Sequence, residues 1–426
     1  MIDLLIAPCG QLLTLGGDNR GPRRGGVMCD LGIIENGALG ITLSSGTIAY
    51  AGPLDALPRG RLAPDCQEID ASGRVVLPGF VDSHTHLVFA GDRAEEFYRR
   101  AQGESYQDIA RSGGGILKTM EATRAASPNE LLAQARARLL RMYSCGTTAV
   151  EAKSGYGPDS ATERMCLEVV AELRRTCPGL VFATYLGAHI LPPQWAGKRM
   201  EYVQQVAADL GQLAAEGLAD FCDVFVDPLA FSRNEAAVIV DAGRKAGLGL
   251  KLHADEFGDD GTAAWGVAQG AVSLDHLGGI GEAGIQALAG SSTVATLLPA
   301  TMFFSGHGKY APARKMIDAG CAVALATDLN PGSSLVYSMP FVLTLAVLEM
   351  GMSAEECIVA STINGAHALG VDGLVGSLEP GKRADFVIAE VPHYRELPYH
   401  VGGDLIRDVF IGGNAVKRNY ALTLAW

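Results

Sequence analysis

A chain of 426 residues with 48% hydrophobic and 19% charged residues holds enough material for one large domain and a smaller one. Its formal charge of -13 argues against a nonspecific binder of nucleic acid or anionic membrane, since either would need a positive surface. No uninterrupted apolar run reaches the roughly 18 residues of a membrane span, and MIDLLIAPCG carries an acid where a signal peptide would be basic. Nine scattered cysteines without a C-x-x-C pair read as reduced thiols, so the expectation is a soluble, cytoplasmic protein.

From the start to about residue 74 the chain reads as short strands and turns. ITLSSGTIAYAGP alternates apolar and small polar residues about a Ser-Gly turn, the pattern of a hairpin. The texture changes at residue 75. From there, apolar runs alternate with amphipathic stretches such as SPNELLAQARARLLRMYSCG, where Ser127 and Glu130 are spaced as a capping box. Eight strands are expected: VVLPGFVDS, TTAVEAKSG, LVFATYLGAH, FCDVFVD, LGLKLHADE, AVSLDHLG, STVATLLP and AVALATD. Eight strand and helix units in this length fit a TIM (β/α)8 barrel over 75–371. KRADFVIAEV and DVFIGGNAV near the end return to the opening texture. Residues 1–74 and 372–426 are therefore expected to join in one discontinuous β-sandwich.

In such a barrel, polar residues at the C-terminal ends of strands are functional suspects. Strand one ends in His84 and His86, strand three in His189, strand five in His253 with Glu256 just beyond, strand six in His276, and strand eight in Asp328. Residues two apart on a strand share a face, so His84 and His86 both point into the barrel mouth and can share an ion. His253 and Asp328 can complete a shell of three nitrogens and one carboxylate with room for water, the pattern of a catalytic site. Such a shell suits zinc or iron equally. His307, His367, His393 and His400 fall in loop or helix contexts and are read as ordinary polar residues.

GFVDSHTH, LKLHADE, SLDHL and ALATD, in this order, resemble the amidohydrolase superfamily of metal-dependent hydrolases. The runs HLVFAGDRAEEF, GGGI, VEAKSGYG, YLGAH, LADFCDVF, KLHADEF, YAPARKMID, ATDLNPGSS and SMPF narrow the likeness. They are similar to the subfamily that opens 4-imidazolone-5-propanoate to N-formimidoyl-L-glutamate in histidine degradation, from about residue 30 to about 415. The resemblance implies one zinc or iron ion per chain on His84, His86, His253 and Asp328, and a homodimer. It implies substrate contacts from Arg93, Tyr156, His189, Glu256, Asn330, Gly332 and Ser333, and catalytic roles for Glu256, His276 and Asp328.

Elementary chemistry agrees with several of these roles. A propanoate needs a cation on an acidic chain, and Arg93 can hold a carboxylate with two parallel hydrogen bonds; the competing use of Arg93 is an ion pair with Glu95 or Glu96. Tyr156 offers a ring face and a hydroxyl from a glycine-rich loop, or simply caps that loop. DLNPGSS offers an amide and turn backbone donors to a carboxylate, or is only a connector. Some amidohydrolases bridge two metals with a carbamylated lysine. The position of Lys153 on strand two, with the ligand set above, points instead to one metal and a supporting lysine. Pro158 after SGYG and the run FVDPLAF depart from the expected pattern.

Two other functions compete. A deaminase or other cyclic amidohydrolase acting on a purine, pyrimidine or hydantoin ring would use a similar ligand set, and Arg93, Tyr156 and the NPGSS turn favour a carboxylate-bearing substrate over a neutral base. A noncatalytic metal-binding barrel is the alternative of another class, and it would be expected to have lost at least one of the residues that ligate metal or activate water.

Overall fold

The computed structural model describes residues 1–424 except 18–20, 105–107, 109–113 and 307. His307 and the first glycine of GGGI, Gly113, lie outside the described residues. All eight expected barrel strands are present as β5 (Phe80–Asp82), β6 (Thr147–Lys153), β7 (Leu180–Ala188), β8 (Phe221–Phe225), β9 (Gly249–Ala254), β10 (Ser273–His276), β11 (Val294–Leu297) and β12 (Ala322–Leu325). They run parallel in sequential order. Their residues are mostly apolar because both faces are covered, by barrel contents inside and by helices outside, with Glu151, Lys153, Asp223, Lys251 and Asp275 among the buried charged exceptions. Ser127 caps the helix Pro128–Ser144 in a full capping box with Glu130, and the same device starts the helices at Arg233 and Ala354.

Strand one is shorter in the barrel than its apolar run suggests. Val75–Pro78 belong to β4 (Leu62–Pro78) and pair with β13 (Phe386–Ala389) in the terminal sheet. Gly79 makes the joint between the two sheets: a Cβ there would collide with the Thr148 side chain. Periodicity could not see this break, because a buried strand reads as the same apolar run in either sheet.

The terminal strands form one mixed sheet in the order β16 (Ala421–Leu422), β15 (Asn414–Arg418), β14 (Ile406–Ile411), β13, β4, β1 (Ile2–Leu13), β2 (Ile33–Thr42) and β3 (Thr47–Pro53). The sheet curls on itself: Ile48 N–H donates to Lys382 O at 2.9 Å and Ala384 N–H to Gly46 O at 2.9 Å. Leu4, Ile6, Leu39, Ile41, Ile388 and the stacked rings of Phe386 and Phe410 fill the space enclosed. The run FVLTLAVLEM lies in the helix Met339–Met350 and is largely core. All nine cysteines are free. Among the described residues no helix is long and apolar enough to cross a membrane.

Candidate active site

The barrel closes where the first and last strands run past their formal ends. His84 O accepts the Asp328 N–H at 3.0 Å, and His86 N–H donates to Leu329 O at 2.8 Å. On the other side Thr85 O accepts the Lys153 N–H at 2.8 Å. The His-x-His segment is thus held between two strand extensions, and alternation sends both imidazoles to the same side. Their ring centres stand 5.5 Å apart.

The other strand ends converge on them. His253 lies 4.7 Å from His84 between ring centres, His276 lies 5.3 Å from His84 and 5.0 Å from His253, and His189 stacks on His86 at 5.0 Å. Asp328 Oδ1 stands 3.5 Å from His84 Nε2 and 3.7 Å from His86 Nε2. Tyr156, buried, closes one side at 5.6 Å from His86 and 5.7 Å from His189. His276 and Asp328 adopt left-handed backbone with φ of 75° and 52°, as do Asp255 and Leu277. Such conformations are costly for side chains with a Cβ and concentrate at functional sites.

The ring nitrogens decide what this cluster can hold. His84, His86 and His253 each offer a nitrogen within 4.8 Å of the others, the spacing of ligands to one ion. His84 Nε2 and His253 Nε2 are buried without a hydrogen-bond partner, which is expensive unless a cation takes the lone pair. Burial holds His84, His86 and His276 well below the ordinary imidazole range, so they are neutral and able to ligate. The residues therefore fit a bound divalent metal ion.

Glu256 stands beside this cluster, with Oε1 3.5 Å from His276 Nδ1. Its carboxyl is raised well above the usual range, first by burial and then by the carboxylates of Asp328 and Asp227. Asp227 lies in the FVDPLAF run. His189 Nδ1 lies 3.1 Å from Gly155 O. A carbonyl only accepts, so Nδ1 carries the proton and Nε2 is left as an acceptor.

Arg93 pairs with Glu96 at 2.8 Å, and the two side chains are only 11% and 4% exposed. Glu96 also accepts the Gly115 N–H. The guanidinium lies against the turn after β12, where a Cβ on Gly332 would strike its Nη1. In that turn the N–H groups of Gly332 and Ser333 both donate to Asn330 Oδ1, at 2.9 and 2.8 Å, while Asn330 Nδ2 donates to Asp328 O at 2.7 Å. The turn donors read from sequence as open to a carboxylate are engaged internally, and two cations stand beside the turn, Arg93 and Arg100, whose Nη2 donates to Gly332 O at 3.2 Å.

An amidohydrolase family model matches residues 75–416. Imidazolonepropionases of Porphyromonas gingivalis (strain ATCC BAA-308 / W83) and Symbiobacterium thermophilum are each 45% identical to this chain. The first alignment spans 420 residues, 98% of each chain, and the second 418 residues, 97% of each. The chain belongs to the imidazolonepropionase family of amidohydrolases. Among solved structures, a zinc-bound adenosine deaminase from Xanthomonas campestris superposes with a TM-score of 0.74 at 19% identity, covering 100% of this chain and 95% of that one. A guanine deaminase from E. coli gives 0.67 at 19%, covering 97% and 99%. These two likenesses establish the fold.

Several supports of this imidazolonepropionase-family site are invisible to motif reading. Thr301 Oγ1 donates to Asp328 Oδ2 at 2.6 Å, fixing which oxygen faces the histidines. Asp275 Oδ2 lies 2.6 Å from His84 Nδ1, and Asp223 Oδ2 lies 2.9 Å from His253 Nδ1. Glu163 accepts the N–H groups of Gly155 and Gly157 and so shapes the loop bearing Tyr156. Asp275 carried a weak signal, an acid inside an apolar strand one residue before His276, while Asp223 was an acid inside an apolar strand beside no marked residue. Thr301 and Glu163 sit on helices with no comparable mark.

Proposed function

We propose that the protein hydrolyses the ring C–N amide bond of 4-imidazolone-5-propanoate to give N-formimidoyl-L-glutamate, using one zinc or iron ion held by His84, His86, His253 and Asp328. The observation that carries this reading is the meeting of three imidazoles and Asp328 with Glu256, whose carboxyl is raised by burial, at the mouth of a barrel whose sequence belongs to this family. When bound, the ion supplies a water whose pKa falls from about 15.7 to near 7 and polarises the ring carbonyl.

The chain's own groups supply the rest. Asp328, held by Thr301 through one oxygen, and neutral His276 orient the attacking water and take its proton. Glu256, whose carboxyl is pushed well up by burial, donates to the departing ring nitrogen. His189, pushed down to about 3 by burial and so neutral, accepts from a ring N–H through Nε2. That tautomer suits a ring donor better than a developing oxyanion. Arg93 holds the propanoate through donors that Glu96 does not use, while Tyr156 packs against the ring and Asn330 keeps Gly332 and Ser333 in place.

The deciding experiment is turnover of freshly generated 4-imidazolone-5-propanoate, followed by loss of its ultraviolet absorbance, with metal content measured on the same sample. Turnover abolished by chelation and about one metal per chain support the reading. A metal-loaded protein without turnover refutes the substrate and leaves the amidohydrolase barrel.

A further inference from the structure

Below the imidazoles lies a fully buried set of five charges: Glu151 and Lys153 from β6, Asp223 from β8, Lys251 from β9 and Asp275 from β10. Lys153 Nζ donates to Asp223 Oδ2 at 2.8 Å and to Glu151 Oε1 at 3.0 Å, and reaches Asp275 Oδ2 at 3.4 Å. Lys251 Nζ donates to Glu151 Oε2 at 2.8 Å and to Ser83 O at 2.7 Å, with no bond to either aspartate. Replacing buried ion networks by apolar residues is often neutral or stabilising, so stability alone does not account for five buried charges.

The connectivity suggests another purpose. Asp275 and Asp223 are the two carboxylates that face Nδ1 of His84 and His253. A carboxylate at Nδ1 fixes the ring's tautomer and rotation; His84 Nδ1 is so held, His253 Nδ1 has Asp223 Oδ2 at 2.9 Å, and Nε2 of both rings is buried without a hydrogen-bond partner. Only Lys153, among the described residues, bonds both aspartates. Its ammonium sits where strands β6, β8 and β10 bring them together and sets their separation, and hence the separation of the two Nε2 atoms above. Two ammoniums against three carboxylates also leave one negative charge under the cluster, which favours a cation above it.

We propose that Lys153 is a positioning residue that sets metal affinity through Asp223 and Asp275. The inference rests on reading His84 and His253 as metal ligands. Its test compares Lys153→Met with Lys251→Met, which removes a buried ammonium whose charge also acts on Asp275 but which hydrogen-bonds neither aspartate, so that loss of charge is matched and loss of positioning is not. Metal-free wild type and both variants are titrated with Zn2+ against a chromophoric chelator, and their folding is checked by circular dichroism without metal.

Lys153→Met should weaken Zn2+ binding about 10- to 100-fold, and Lys251→Met by no more than a few-fold. Equal losses in the two variants, or none in Lys153→Met, overturn the proposal. Wild type that binds no Zn2+ overturns the ligand reading beneath it, a separable result. If Lys153→Met is not soluble, Lys153→Arg carries the test: the wider guanidinium should weaken Zn2+ binding and shift the visible spectrum of the Co2+-loaded protein. Wild-type affinity and spectrum in that variant overturn the proposal equally.

Discussion

Removing one hydroxyl, in Thr301→Val, should weaken metal binding more than it weakens the fold. Thr301 Oγ1 donates to Asp328 Oδ2 at 2.6 Å, and both residues are buried, at 3% and 2% exposure. A hydrogen bond to a charged acceptor contributes about 1.5–3 kcal/mol. Valine keeps the shape and leaves that oxygen without its donor. At 1.4 kcal/mol per decade, Zn2+ affinity should fall about 10- to 100-fold. Part of that loss comes from competition with protons. Burial pushes the metal-free Asp328 carboxyl up to about 6 while Thr301 pulls it down, so losing Thr301 moves it higher. The ion needs the carboxylate form, so the acid limb of affinity moves to higher pH. The deficit should therefore be larger at about pH 6.5 than at about pH 8.5. Chelator competition at the two pH values measures this. A folded variant with wild-type affinity at both would show that Thr301 does not orient Asp328, and the argument from this bond would fall.

Other outcomes follow from the same geometry. Glu256→Gln should cut kcat by about 10²- to 10⁴-fold with metal retained; metal loss would make Glu256 a ligand instead. Because Glu256 acts protonated and its carboxyl is raised by burial, wild-type turnover should decline on the alkaline side as that group ionises, and a flat alkaline limb would remove it as the donor. Gly332→Ala, by pushing a Cβ into the Arg93 guanidinium, should raise KM about tenfold or more with a smaller change in kcat; an unchanged KM would separate Arg93 from the substrate carboxylate. Glu163 is pushed by burial from 4.5 up to about 7. Its contribution to stability is therefore present below its unfolded value and lost as pH rises through about 7, by about 3 kcal/mol. The Tm advantage of wild type over Glu163→Gln in metal-free protein should shrink between about pH 5 and pH 8, and a constant difference would contradict this.

The sequence by itself determined the barrel and the residues at its mouth. Apolar runs alternating with amphipathic stretches are a local signal, and so is the place where each run ends. His84, His86, His253, His276 and Asp328 could be read because a strand end is a position along the chain, and barrel closure carries all such ends to one place. Only the tertiary structure decided the orientation of the groups there. Nothing near Asp328 in sequence shows that its second oxygen belongs to Thr301, and nothing near His84 shows Asp275, 191 residues away, at its Nδ1. The terminal sheet's claim on Val75–Pro78 was hidden for the same reason. Val75–Pro78 are buried throughout in the terminal sheet, as the barrel strands mostly are, and a pattern along one strand cannot tell which neighbour it will pair with. The turn Asn330 to Ser333 shows the opposite limit. Its residues suit a carboxylate by type, yet folding directs the backbone donors onto Asn330, since N–H groups in a tight turn are satisfied first by the nearest acceptor.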